Sequence, residues 1–159
     1  MDLTELDYLE RAEALRGKLY GIALLTLGGE AAAIDAVDEA VYKGYRNYRK
    51  LRQPQYFETW LIRILINVCR DELRRRKREL AVETLPETAG DAYDALPLKE
   101  AIRRLPESLR DVIILRYFTG LTLEETAAAL SIPRGTVATR QRKALSLLKL
   151  DLMAEEGAS

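Results

Sequence analysis

Residues 121–148 read LTLEETAAALSIPRGTVATRQRKALSLL, and the way this stretch must turn decides the second half of the fold. Thr122 followed three residues later by Glu125 is a capping box, in which the hydroxyl takes an orphan amide and the carboxylate reaches back. Leu123 to Leu130 then forms a short helix. Ala127 is small where two crossing helices must approach, Ser131 sits in the tight turn, Ile132 plugs the corner and Pro133 opens the next helix. Val137, ten residues after Ala127, points back into the core. A second helix held in this way projects its N-terminal half outward, as in a helix-turn-helix that enters the DNA major groove. Its outward residues are Arg134, Thr136, Ala138, Thr139, Arg142 and Lys143, with Arg140 near the rim. Arginine and lysine donate to guanine edges or phosphates, and threonine does either or touches a thymine methyl. An ordinary helical hairpin would also carry a solvated basic face, but it has no need of cap, small residue and corner together.

Upstream, Leu98–Leu105 reads as one helix, Pro106 opens another at a position that tolerates proline, and Gly120 closes it after Tyr117-Phe118. Residues 80–96 (LAVETLPETAGDAYDAL) carry Pro, Gly and acidic side chains without sustained periodicity, and are expected to form a flexible linker. Before the linker, helical periodicity predicts three helices and no strand. The first fits Thr4 to about Leu27, with Leu15, Leu19, Ile22 and Ala23 on one face, and ends at Gly28-Gly29. The second runs from about Glu30 to Leu51 with Ile34, Val37, Val41 and Tyr45 at helical spacing. Gly44 inside it costs about 1 kcal/mol relative to alanine, so that stretch needs tertiary support. Pro54 breaks the pattern. The third helix spans roughly Tyr56 to Glu79, with an apolar stripe of Phe57, Leu61, Ile64, Leu65, Val68 and Cys69 and a basic end at Arg74–Arg78. The expected fold is all-α: two small helical domains, at 1–79 and 98–153, joined by an acidic linker at 80–97 and followed by a tail at 154–159.

Composition excludes several functions. The chain has 159 residues, no histidine and one cysteine, Cys69, so an internal disulfide and Cys/His zinc sites are ruled out. The commonest general base is missing and no Gly-rich phosphate loop of a standard type appears. Enzyme activity is not expected, nor is any cofactor or small-molecule substrate. The charged N-terminus and the lack of a long apolar run argue against a signal peptide or membrane span, which makes the cytoplasm the expected location. Formal net charge is zero, but the charge is segregated. Residues 1–40 hold 3 basic and 9 acidic side chains, 41–80 hold 12 and 4, 81–97 hold 0 and 4, and 98–150 hold 10 and 5. Two basic blocks between acidic ones suit nucleic-acid contact even though the total cancels.

With these residues in view, the chain resembles bacterial sigma factors of the extracytoplasmic-function type, over about residues 8–150. Asp35-Ala36-Val37-Asp38-Glu39 is similar to the family's D-L-V-Q-E stretch. The run from Phe57 to Asn67 (FETWLIRILIN) resembles F-x-T-W-L-x-R-I-x-x-N, and Asp71-Glu72-Leu73-Arg74-Arg75 continues it. Leu105-Pro106, Leu115-Arg116-Tyr117, Gly120-Leu121-Thr122, Glu124-Glu125 and Ile132 to Val137 fit the second half. A free-standing helix-turn-helix repressor or activator would account for the second half but has no need of the first.

The resemblance implies that the first domain docks on the β′ clamp helices of core RNA polymerase through Asp35, Asp38, Glu39, Tyr42 and Arg46, a mixed-charge face that read alone would be solvated. It also implies that this domain engages the melted −10 element through Gln53, Gln55, Tyr56, Trp60, Arg63, Asn67, Arg70 and Arg74. Glutamine amides can read a base edge and tyrosine can stack on one; otherwise Gln-Pro-Gln is a turn, Trp60 a core anchor and Asn67 a buried polar residue. The second domain is implied to read the −35 element through Arg134, Thr136, Thr139, Arg140, Arg142 and Lys143, and to contact the β flap. The resemblance further implies an anti-sigma factor as partner, able to hold the chain at a membrane. Some positions depart from the family. Ile34 and Asp38 replace the usual Glu and Gln, Ala138 stands where relatives carry Lys or Arg, and Gln141 stands where they carry an apolar residue.

Overall fold

A computed structural model describes residues 2–80 and 97–157, and among these every regular element is helical. The chain divides into two compact units, Met1–Thr88 and Ala89–Ser159. The sequence-predicted linker falls almost wholly at 81–96, outside the described residues; Leu80 ends the last helix of the first unit and Pro97 begins the first helix of the second.

The first unit packs three helices, α1 (Glu5–Leu27), α2 (Glu30–Asn47) and α3 (Phe57–Leu80). Thr4 caps α1 by accepting from the Asp7 amide at 3.1 Å while Asp7 accepts from the Thr4 amide at 3.0 Å. Gly28 ends α1 with φ of 79°, a left-handed turn that glycine adopts without Cβ strain. At the same end, Arg76 of α3 donates to the Leu27 carbonyl at 2.8 Å, satisfying an acceptor the helix cannot.

The face that α2 buries differs from the expected one. Ala33, Ala36, Val37, Ala40 and Gly44 are inside, whereas Ile34 and Tyr45 are 49% and 41% exposed. Side-chain size explains the shift: α2 crosses its neighbours along a row of small residues, so the bulky members of the expected stripe roll outward. Gly44 marks the tightest point, where an added Cβ would lie 2.5 Å from the Tyr8 hydroxyl oxygen and 3.1 Å from Leu61 Cδ1. Tyr8 itself is wholly buried, donates to the Val41 carbonyl at 2.5 Å and stacks on Tyr48 with 5.3 Å between ring centres. The α2 helix stops at Asn47 rather than Leu51, giving way to a 3-10 turn at Tyr48–Lys50; a second 3-10 turn, Pro54–Tyr56, leads into α3. On α3, Ile62 and Ile66 join the expected stripe in the core, while Ile64 is only half-buried, as is Leu15 on α1.

The second unit comprises α4 (Pro97–Arg104), α5 (Glu107–Ile113), α6 (Leu123–Leu130) and α7 (Arg134–Gly157). Pro106 precedes α5, where its missing amide costs nothing. After α5 the backbone widens into one π-helical segment, Ile114–Phe118, that the sequence did not announce. The Thr119 amide reaches back five residues to the Ile114 carbonyl at 2.9 Å, and Gly120 (φ 80°) then reverses the chain. The α7 helix continues through Gly157, so residues 154–157 extend it where a tail was expected; 158 and 159 lie outside the described residues.

Candidate nucleic-acid interface

The helix-turn-helix forms as its sequence requires. Thr122 Oγ1 accepts from the Glu125 amide at 3.0 Å and Glu125 Oε1 accepts from the Thr122 amide at 2.9 Å. Ser131 ends α6 with φ of 57°, the one non-glycine residue with positive φ among the described residues, and the Ile132 amide closes the turn on the Ala127 carbonyl at 3.0 Å. Val137 and Ala144 are fully buried and Leu148 nearly so, which seats α7 on the rest of the unit along one stripe. Ile132 is half-buried at the corner.

That seating turns the other side of α7 outward. Arg134, Thr139, Arg142 and Lys143 are exposed, while Thr136, Ala138 and Arg140 are half-buried. Thr136, Thr139, Arg140 and Lys143 also line a shallow groove with Pro106, Ser108 and Leu109 at the start of α5. Two outward residues already have partners: Arg134 pairs with Glu124 at 3.2 Å, and Thr139 donates to the Gly135 carbonyl at 3.0 Å. Arg142 and Lys143 form no ion pair among the described residues. Sequence reading missed Arg116 of the π segment. Its Nε donates to Gln141 Oε1 at 2.8 Å and its Nη1 donates to the Leu121 carbonyl at 2.5 Å. The polar departure at Gln141 was the available signal, since a glutamine on an inward stripe needs a partner.

In the first unit, Tyr56, Trp60, Arg63, Asn67, Arg70 and Arg74 recur at alternating intervals of four and three, the spacing of one helix face, and Gln53 and Gln55 flank Pro54 at its head. Gln53, Gln55, Tyr56, Arg63, Asn67 and Arg74 are exposed, so Asn67 is not a buried polar residue. Trp60 is half-buried, 5.8 Å from the Phe57 ring centre, and Arg70 is half-buried too. Arg11 of α1, which no motif signalled, donates to the Pro54 carbonyl at 2.9 Å and lies 5.8 Å from the centre of the Phe57 ring, tying down the loop that carries the glutamines. The basic end of α3 is partly neutralised. Arg75 binds Glu72 at 2.7 Å and Glu79 at 2.5 Å, Arg76 binds Glu72 at 3.2 Å, and Arg74 reaches Asp71 at only 3.4 Å. The Arg75 hydrogen bond holds the Glu72 carboxyl below its ordinary pKa and keeps it charged.

The α2 residues Asp35, Asp38, Glu39, Tyr42 and Arg46 are all exposed together with Ile34. Asp38 accepts from Arg16 at 2.8 Å, Glu39 pairs with Lys43 at 3.3 Å, and the Arg46 guanidinium lies 5.8 Å from the Tyr42 ring centre. Among the described residues, no helix is long and apolar enough to cross a membrane, and no group of three or more candidate ligands is placed to hold a metal ion.

Two helical units, one carrying a helix-turn-helix with a cationic outer face and the other a basic-aromatic stripe, define a protein of the nucleic-acid-binding class. Comparison with known proteins makes this specific. Residues 12–79 match the model of sigma-70 region 2, and residues 101–150 match that of sigma-70 region 4. The RNA polymerase sigma factor SigV of Bacillus subtilis is 31% identical over 142 residues, covering 86% of each chain. The ECF sigma factor SigW of the same organism is 29% identical over 167 residues, covering 91% of this chain and 88% of SigW. The fold is similar to that of the sigma factor RpoE from Bartonella quintana, solved with the anti-sigma factor NepR (TM-score 0.78, 22% identity, 92% of this chain and 97% of that one). It is also similar to CnrH, solved with the cytosolic domain of CnrY (TM-score 0.75, 21% identity, 95% and 90%). The chain belongs to the sigma-70 family of RNA polymerase sigma factors, with ECF members among its relatives. It is therefore a promoter-directing transcription initiation factor and not an enzyme.

Proposed function

We propose that this chain binds core RNA polymerase and directs it to promoters by engaging two separate elements, one with each unit. The helix-turn-helix unit reads the −35 element in the major groove through Arg134, Thr136, Thr139, Arg140, Arg142 and Lys143. The single observation that carries this reading is the exposed Arg142–Lys143 pair, which forms no ion pair among the described residues, on a helix whose opposite stripe is buried. Cations so placed are available to guanine edges and phosphates. In the first unit, the loop at Gln53, Gln55 and Tyr56 and the face formed by Trp60, Arg63, Asn67, Arg70 and Arg74 engage the opened −10 element, with Tyr56 exposed for stacking. The α2 face of Asp35, Asp38, Glu39, Tyr42 and Arg46 docks on the β′ clamp helices, and the second unit contacts the β flap.

The domain division that serves this function is 1–79 for polymerase and the −10 element, 80–97 as linker and 98–153 for the −35 element. On this reading the chain acts in the cytoplasm and is held inactive by an anti-sigma factor; the sigma factor RpoE of Bartonella quintana, similar in fold, was solved with the anti-sigma factor NepR, which supports such a partner. Run-off transcription tests the reading. Adding the purified chain to sigma-free core polymerase on a promoter library should yield RNA from defined start sites that share two spaced elements. Equal RNA with and without the chain overturns it.

A further inference from the structure

We infer that Arg116 and Gln141 form a positioning bond that sets the roll of the recognition helix, making both residues determinants of −35 selectivity although neither belongs to the DNA-contacting set. This rests on the reading of α7 as the −35 recognition helix. Gln141 lies on the inward stripe of α7, between Val137 and Ala144, both fully buried. Apolar contacts along such a stripe hold a helix against its neighbours but are non-directional, and tolerate small rotations about its axis. A hydrogen bond from a fixed donor is directional.

Arg116 is such a donor. Its Nη1 is anchored on the Leu121 carbonyl, one residue before the Thr122 cap of α6, and the Leu121 amide is itself bonded to the Leu115 carbonyl at 2.9 Å. Its Nε remains for Gln141 at 2.8 Å. The π segment presents this guanidinium, with the neighbouring Tyr117 ring centre 6.0 Å away. One side chain thus joins the entry of the first helix of the motif to the middle of the second. Arg140 and Arg142 flank Gln141 directly and Lys143 follows on the same helix, so a change of roll there displaces all three. Binding constellations need their groups held to roughly 0.5 Å and 10–20°.

The test uses the full chain with core polymerase. Wild-type protein first selects its preferred −35 element from a promoter library; run-off transcription then compares that promoter with single-base −35 variants. Gln141→Leu should lower the preference for the selected element by about tenfold, with the thermal midpoint of the second unit held or raised. Gln141→Glu, which keeps an acceptor for Arg116, should retain the wild-type preference ratio even if overall affinity falls. Arg116→Lys should lower the preference in the wild-type background but add nothing to Gln141→Leu.

Unchanged preference in Gln141→Leu overturns the proposal. So does a loss in Gln141→Leu that Arg116→Lys still deepens, because Gln141 would then be reading DNA itself. The paired variant Arg142→Ala/Lys143→Ala separates the two levels. If it loses selection while Gln141→Leu keeps it, only the positioning bond fails. If neither changes selection, the assignment of α7 as the reader fails and the proposal falls with it.

Discussion

The Tyr8 hydroxyl sits over Gly44: it donates to the Val41 carbonyl at 2.5 Å and occupies the space a Cβ on Gly44 would need. Tyrosine and glycine are thus a matched pair, one filling the volume that the other leaves open. Gly44→Ala should therefore destabilise the first unit despite alanine's better helix propensity, by about 1–3 kcal/mol, because overpacking outweighs the propensity gain. Urea denaturation of Gly44→Ala, Tyr8→Phe and the double variant should reveal less than additive loss, since Tyr8→Phe removes the nearest clashing atom.

Burial pushes the Tyr8 phenol up to about 12 from an ordinary value of 10.0. The unfolded chain releases this proton near its ordinary value and the folded chain holds it longer. Its contribution to stability is complete below pH 10 and disappears as pH rises through the folded value. Denaturation midpoints of the wild-type chain should fall between pH 10 and 12, and Tyr8→Phe should flatten that decline. Tyr45, whose hydroxyl donates to the Glu5 carboxylate at 2.7 Å, is also raised and acts in the same direction.

Thr122 completes the capping box of α6 and fixes where the helix-turn-helix begins. Thr122→Ala should cost the second unit about 0.5–2 kcal/mol, and Thr122→Ser should recover most of it. Calorimetry of the full chain, following the second unit's transition, checks both.

The outward cations of α7 should divide by role. Substituting Arg142 or Lys143 by alanine should cost roughly 1–3 kcal/mol on the preferred −35 element if the side chain makes a bidentate base contact, and should relax selectivity there. Competition binding of the polymerase complex to matched and mismatched promoters measures it. Unchanged selectivity removes that residue from base readout.

The basic end of α3 yields a contrast that its sequence conceals. Among the described residues Arg74 makes one long ion-pair contact, with Asp71, while Arg75 is engaged by Glu72 and Glu79. Arg74→Ala should weaken promoter binding across sequences and reduce the salt slope by about one counterion. Arg75→Ala should reduce that slope less. Filter binding over a salt series distinguishes them.

How much of this was legible beforehand follows from the range of the interactions involved. Caps, breakers and periodicity are local, so the all-helical class, the Thr122 box, the Ser131 turn, the buried Val137 and the outward Arg142 and Lys143 could be read from neighbouring residues alone. The buried face of α2 could not. Ile34, Val37, Val41 and Tyr45 form a good helical stripe, but Ala33, Ala36, Ala40 and Gly44 form another, and the choice depends on how closely α2 must approach Tyr8 and Leu61. The π segment, the grip of Arg11 on Pro54 and the bond from Arg116 to Gln141 share that character. The sequence by itself determined which segments are helical, where the caps at Thr4, Gly28 and Thr122 bound them, and which cations lie beyond the core stripe. Tertiary structure alone decided which of two apolar faces is buried and which polar side chains meet, because packing distance and hydrogen-bond geometry join residues that the chain keeps far apart.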